Sequence, residues 1–89
     1  MELSDYREKI DEADRALIAA FVRRMELSAE VAAYKKAKQL PVYDPAREAR
    51  KLDWAEAQVP EVFAGDVRAL FETLFALSKG YQNRLLDRE

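Results

Sequence analysis

The sequence predicts an all-α protein in which one long, one short and one medium helix per chain form an intertwined homodimeric helical bundle. Apolar residues recur every three or four positions through most of the chain, which is the period of an amphipathic helix. Only two glycines and three prolines interrupt this pattern, and no stretch alternates as a strand does. We expect residues 1–89 to form one domain, which lies near the lower limit of size for burying an adequate core and therefore needs a partner.

The first helix is predicted from about Ser4 to Lys38, a stretch without glycine or proline, with Ser4 or Asp5 as its N-cap. At about 1.5 Å per residue this helix is roughly 50 Å long, whereas a compact chain of this size has a radius of gyration of only about 12 Å. The helix must therefore extend beyond its own subunit. Pairing with the same helix of a second copy would bury its apolar stripe in a twofold dimer.

The other two helices are separated by prolines. Pro41 lies in a predicted loop of residues 39–43, because proline disfavours helical geometry at the residue before it. Asp44, followed by another proline, is typical of an N-cap and first helical turn, so the second helix is predicted over about residues 44–58. The third helix, after the last proline, is predicted over about residues 61–86.

The composition excludes several kinds of chemistry. The chain has no cysteine and no histidine, which removes disulfides, zinc sites built on these residues and nucleophiles activated by an imidazole. A net charge of −2 with mixed signs throughout argues against a nucleic-acid surface. No apolar run approaches the roughly 20 residues of a membrane span. We expect a soluble, cytoplasmic protein that requires no metal and no cofactor.

Three cations lie on the apolar face of the first helix. Arg7, Arg24 and Lys35 share this face with Leu17 and Val31, and Arg24 lies between those two apolar residues. An unpaired charge in an apolar interface costs several kcal/mol, so such a position needs an explanation. Carboxylates of the chain could pair with these cations, or their stems could extend to water. A coiled-coil interface without a pocket would carry apolar residues here, and the remaining interpretation is a polar pocket for an anionic ligand.

Polar residues also interrupt the apolar face of the third helix. Ser78 and Gln82 are four residues apart and face the interior one above the other. A single buried serine usually donates to the carbonyl four residues back, whereas Gln82 has no such local explanation. On the second helix, Asp44 is also explained as an N-cap, and Glu48 as a surface charge favoured by the helix dipole.

Taken together, these residues resemble the all-helical class of chorismate mutases, and the resemblance covers nearly the whole chain. Specified polar positions across three helices are far more specific than a single short motif. The matching positions are Arg7-Glu8-Lys9-Ile10 with Asp14, Arg23-Arg24, Glu26-Leu27, Glu30-Val31, Lys35, Pro41-Val42-Tyr43-Asp44, Arg47-Glu48, Ser78 and Gln82.

The resemblance implies the rearrangement of chorismate to prephenate, the branch step toward phenylalanine and tyrosine. This concerted Claisen rearrangement needs no proton transfer and no covalent intermediate, which fits a chain without histidine or cysteine. The protein would select the compact diaxial conformer of the substrate and stabilise the charge that builds on the breaking ether oxygen.

The resemblance also implies a role for each polar residue. Arg7, Arg24 and Lys35 would bind the two substrate carboxylates, with Arg7 reaching in from the other subunit. The arginines suit this role because a guanidinium bonds both oxygens of a carboxylate. Lys35 and Gln82 would be the catalytic residues, because they would hydrogen-bond the ether oxygen.

The remaining residues would complete the substrate site. Ser78 would help to bind the ring carboxylate, and Arg47 would support the wall of the site. Glu48 and the backbone near Asp44 would bind the ring hydroxyl.

Two other classes of function stay open. A related lyase expels pyruvate from isochorismate on the same fold, but Glu48 and Ser78 favour the mutase because the lyase pattern has apolar residues at these places. A non-catalytic helical dimerisation or regulatory module is the other class, and retention of every expected polar residue argues against it. The sequence does not indicate whether the chain docks on another enzyme of the pathway, and we expect no direct feedback by phenylalanine or tyrosine.

Overall fold

Three α-helices and one short 3₁₀ turn make up the computed structural model, which describes residues 1–87. Helix α1 is Leu3–Ala37, α2 is Pro45–Ala57 and α3 is Ala64–Asp87, with a 3₁₀ turn at Glu61–Phe63 just before α3. The described part of the chain contains no strand, so the predicted all-α class is confirmed. None of these helices combines the length and apolar character that crossing a membrane requires.

The start of α1 differs from the prediction. Neither Ser4 nor Asp5 is the N-cap, because the helix begins at Leu3 and Glu2 occupies the capping position. The Asp5 carboxylate instead lies in the first turn and accepts a hydrogen bond from the Glu2 backbone N–H at 2.8 Å. This reciprocal contact between the N-cap and the third helical residue lets the helix begin at Leu3, closer to the N-terminus than predicted.

The loop after α1 turns sharply because of its backbone conformation. Gln39 has a positive φ of 58°, the left-handed conformation that commonly ends a helix. The Leu40 N–H then donates to the Lys35 carbonyl at 2.7 Å.

The predicted N-cap of α2 is confirmed, since an Asp44 carboxylate oxygen accepts from the Arg47 backbone N–H at 3.1 Å.

Helices α1 and α2 both pack against α3, which lies at the centre of the subunit. Aromatic rings form part of this contact: Trp54 and Phe71 meet edge to face at 6.3 Å between centroids, and Phe71 and Phe75 at 6.2 Å. Arg68 on α3 adds ion pairs to α2, at 3.2 Å to Glu56 and 3.6 Å to Asp53. The core of the chain is therefore confined to the part of the molecule around α3.

The N-terminal half of α1 extends away from this core. Every residue from 1 to 20 is exposed, including the large apolar side chains of Leu3, Ile10, Leu17 and Ile18, each more than half exposed. The chain measures 55 by 27 by 14 Å with a radius of gyration of 16.3 Å, against about 12 Å for a compact chain of this length. The predicted overhang of the first helix is present, while the homodimer itself stays a prediction.

Candidate functional site

A cavity of about 390 Å³ lies between the C-terminal half of α1, the start of α2 and the second half of α3. Its volume falls within the range typical of small-molecule sites. Of the eight residues that the sequence singled out, Arg7 alone does not line it. The other seven do: Arg24, Lys35, Asp44, Arg47, Glu48, Ser78 and Gln82.

Arg24 reaches the cavity from α1 and is held by α3. A guanidinium N–H donates to the Ser78 hydroxyl at 2.7 Å, and the guanidinium lies 5.6 Å from the centre of the Phe75 ring. The Ser78 hydroxyl does not bond to the carbonyl four residues back as expected, because it accepts from Arg24 and donates to the Met25 sulfur at 4.0 Å. Ser28 makes that local bond instead, to the Arg24 carbonyl at 3.0 Å.

No carboxylate of residues 1–87 forms an ion pair with Arg24. Burial, and then the neighbouring charge of Arg47, lowers the pKa of Arg24 below its ordinary value. A lowered pKa of a base means that its charged form is less favourable in the folded chain than in the unfolded chain. Folding therefore desolvates the positive charge of Arg24 at a cost, and an anion in the cavity would relieve this cost.

We therefore expect Arg24→Met to leave the melting temperature of the ligand-free protein unchanged or higher, because it removes a desolvated charge from an apolar contact. If the cavity binds a small dicarboxylate, this ligand should raise the melting temperature of the wild type and not that of the variant. Thermal unfolding with and without a small dicarboxylate measures both effects. A lower melting temperature without ligand would mean that Arg24 is mainly a structural residue.

Lys35 and Gln82 reach the same cavity from opposite helices. The Lys35 ammonium donates to the Val42 carbonyl at 3.1 Å, which ties the end of α1 to the loop before α2. The Gln82 side-chain amide donates to the Ser28 carbonyl at 2.9 Å, and the residue is only 7% exposed. Each group keeps further N–H donors after these bonds, because an ammonium has three and an amide nitrogen has two.

The start of α2 supplies the remaining predicted residues. Asp44 is used as the N-cap, so one of its oxygens is already engaged. Glu48 is not a simple surface charge, because its carboxylate pairs with Lys79 of α3 at 3.1 Å and its side chain is only 24% exposed. Arg47 is exposed and lines the cavity close enough to Arg24 to affect its pKa.

The sequence of the chain matches the family model described as chorismate mutase type II over residues 6–83. The chain belongs to the chorismate mutase type II family. The resemblance on which the sequence interpretation depends is thus confirmed.

Two curated relatives, both called T-protein, are similar to parts of the chain. The protein of Haemophilus influenzae is 38% identical over 74 residues, which cover 78% of this chain and 20% of the relative. The protein of Enterobacter agglomerans is 45% identical over 51 residues, which cover 57% of this chain and 14% of the relative. The chain thus spans a fifth or less of these relatives. No solved structure gives a significant match.

For this chorismate mutase family member, sequence reasoning missed two cations that line the cavity. Lys79 precedes Gln82 by three residues, and Lys51 follows Arg47 by four, so helical spacing places both on faces that already carry site residues. The Lys51 ammonium lies 4.5 Å from the centre of the Trp54 ring. The cavity lining therefore carries five basic and two acidic side chains, a balance that favours an anionic ligand.

Proposed function

We propose that this chain is a chorismate mutase, an isomerase that converts chorismate to prephenate in the biosynthesis of phenylalanine and tyrosine. The observation that carries the proposal is a cavity in which Arg24 has no carboxylate partner among residues 1–87, beside the donors Lys35 and Gln82. Cations and a neutral amide donor around one cavity fit a dicarboxylate with an ether oxygen. The predicted location in the cytoplasm is part of this proposal.

The chemistry follows from what these groups can do. The rearrangement is concerted, so the protein has to supply a restricted conformation and a matched electrostatic environment. Arg24 binds one carboxylate through its guanidinium and holds the substrate in its compact form. Lys35 and Gln82 direct N–H groups at the ether oxygen, where negative charge grows as the carbon–oxygen bond breaks. Both donors are already held by backbone carbonyls, so little reorganisation accompanies the reaction.

The proposal includes a homodimer with a shared site. Arg7 lies on the exposed N-terminal half of α1, in the same helical stripe as Ile10 and Leu17. A second copy packed along this stripe would bury it and bring its own Arg7 to the cavity. The site would then hold a third cation for the substrate carboxylates, contributed across the subunit interface.

The test uses purified protein and two substrates. With chorismate, the ultraviolet absorbance of the substrate should fall and prephenate should form. With isochorismate, no salicylate fluorescence should develop. Salicylate formation would favour the lyase, and the absence of any reaction with either compound would favour the non-catalytic module.

We expect Gln82→Glu to make activity depend on pH. The buried carboxyl would face the Ser28 carbonyl, and burial beside an acceptor raises its pKa above the ordinary value of about 4.3. Only the protonated form can donate, so turnover should fall as pH rises through this raised pKa. Stability should be lost over the same range, because a group whose pKa is raised on folding stabilises the folded state only at low pH.

The control for this variant is Gln82→Leu, which has no donor at any pH. Its activity should be low and should show no added dependence on pH. Rates of chorismate loss across the pH range, with circular dichroism at each pH, separate chemistry from unfolding. Full activity of Gln82→Glu with a flat profile would mean that Gln82 does not contact the ether oxygen.

A further inference from the structure

Lys79 connects three segments of the chain at the edge of the cavity. Its ammonium lies 3.1 Å from one Glu48 carboxylate oxygen and 3.3 Å from the other. The same ammonium lies 4.3 Å from the centre of the Tyr43 ring, in the loop before α2. The Lys79 side chain is only 31% exposed and that of Glu48 only 24%, so solvent screens this pair less than a fully exposed one.

The charge of Glu48 is a difficulty for the proposed substrate. Chorismate carries two carboxylates, and a third carboxylate on the wall of the same small cavity would repel it. Like charges brought together at a binding surface repel each other and weaken binding. Asp44 presents less of a problem, because its carboxylate caps α2 and accepts from the Arg47 N–H. Glu48 therefore needs a cation that does not also bind the carboxylates of the substrate.

Lys79 meets this need better than the other cavity cations. The Arg24 guanidinium contacts Ser78 and Phe75, the Lys35 ammonium donates to Val42, and the Lys51 ammonium lies over Trp54. Arg47 forms no ion pair with Glu48. Only the Lys79 ammonium, among residues 1–87, forms an ion pair with Glu48. The Tyr43 ring lies against the ammonium on its other side, so Glu48 and Tyr43 together hold the lysine at the edge of the cavity.

We propose that Lys79 is a positioning residue that neutralises and holds Glu48, which allows a dianionic substrate to bind beside this carboxylate. The inference rests on the proposed mutase function and adds a residue to it. With its charge balanced, Glu48 can still accept a hydrogen bond from a hydroxyl group such as that on the ring of chorismate. Lys79 itself does not touch the substrate.

The test is a double-mutant cycle measured as kcat/KM for chorismate. Lys79→Met should lower kcat/KM about 10-fold, mostly through a higher KM, because the bare carboxylate now repels the substrate. In the Glu48→Gln background, the same Lys79→Met change should alter kcat/KM less than about 2-fold, since a neutral amide needs no counter-charge. Lys79→Arg should retain most of the activity, because it keeps both the ion pair and the ring contact.

A matched control distinguishes this role of Lys79 from the general effect of removing a positive charge from the cavity. Lys51→Met removes a neighbouring charge that lies over Trp54 and does not pair with Glu48, so its effect should be the same in both Glu48 backgrounds. Circular dichroism and thermal unfolding report whether each variant folds. An equal loss from Lys79→Met in both backgrounds would overturn the proposal and indicate a structural tether through Tyr43. A wild-type protein without mutase activity would contradict the proposed function, and the inference with it.

Discussion

Lys35→Ala should lower the turnover number for chorismate by about 10²-fold or more, the usual effect of removing one preorganised transition-state donor. The ammonium lies at the cavity wall and is held at 3.1 Å from the Val42 carbonyl. This bond places the charge before the substrate arrives, so its full effect is available as the ether bond breaks. Steady-state kinetics that resolve turnover number from KM measure the prediction.

Lys38→Ala is the matched control, because it removes a lysine from the same end of α1. Its ammonium lies 6.0 Å from the centre of the Tyr34 ring, and Lys38 does not line the cavity. Lys38→Ala should keep the wild-type turnover number, and both variants should keep their helical circular dichroism. A Lys35→Ala protein with normal turnover and a raised KM would show that Lys35 only anchors a carboxylate.

The sequence is sufficient to predict features that depend only on residues close together along the chain. Helical periodicity indicated all three helices, and Asp44 before a proline indicated the start of α2, because capping depends on residues within one turn. The N-cap of α1 was predicted wrongly. There the Asp5 carboxylate bonds backward to Glu2, and a sequence that offers several polar residues in a row does not show which of them caps.

The partners of the site residues were harder to predict, because they come from distant parts of the chain. Arg24 and Ser78 are 54 residues apart, and Lys79 and Glu48 are 31 apart. Helical spacing showed that Ser78 faced inward, but only the packing of α1 on α3 shows what it faces. Lysines on helices usually lie in solvent, so the three-residue spacing between Lys79 and Gln82 does not by itself distinguish Lys79 from a surface charge.

Arg7 is the predicted site residue that the subunit does not bring to the cavity. It lies 28 residues before Lys35 on the same helix, about 42 Å along its axis. Two groups so far apart on one helix cannot bind one small substrate. If both act in one site, they must belong to different chains, which is what the exposed N-terminal half of α1 would allow.

Mixing two inactive variants should therefore restore activity. Arg7→Ala and Lys35→Ala homodimers should each lose about 10²-fold or more in activity. In a mixed dimer, one site has both lesions and the other has none, because the intact Arg7 of one chain meets the intact Lys35 of the other. Equal amounts refolded together should give about half mixed dimers, so roughly a quarter of all sites should regain wild-type activity.

Mixing Arg24→Ala with Lys35→Ala is the control for this experiment. Both residues line the cavity of one subunit, so every site in a mixed dimer carries one of the two lesions and no activity should return. Native mass spectrometry of chains that differ in mass shows that mixed dimers have formed. If the Arg7→Ala and Lys35→Ala mixture contains mixed dimers and remains inactive, Arg7 does not complete the partner's site. Recovery in the first mixture alone would establish both the shared site and the predicted pairing of two chains along the first helix.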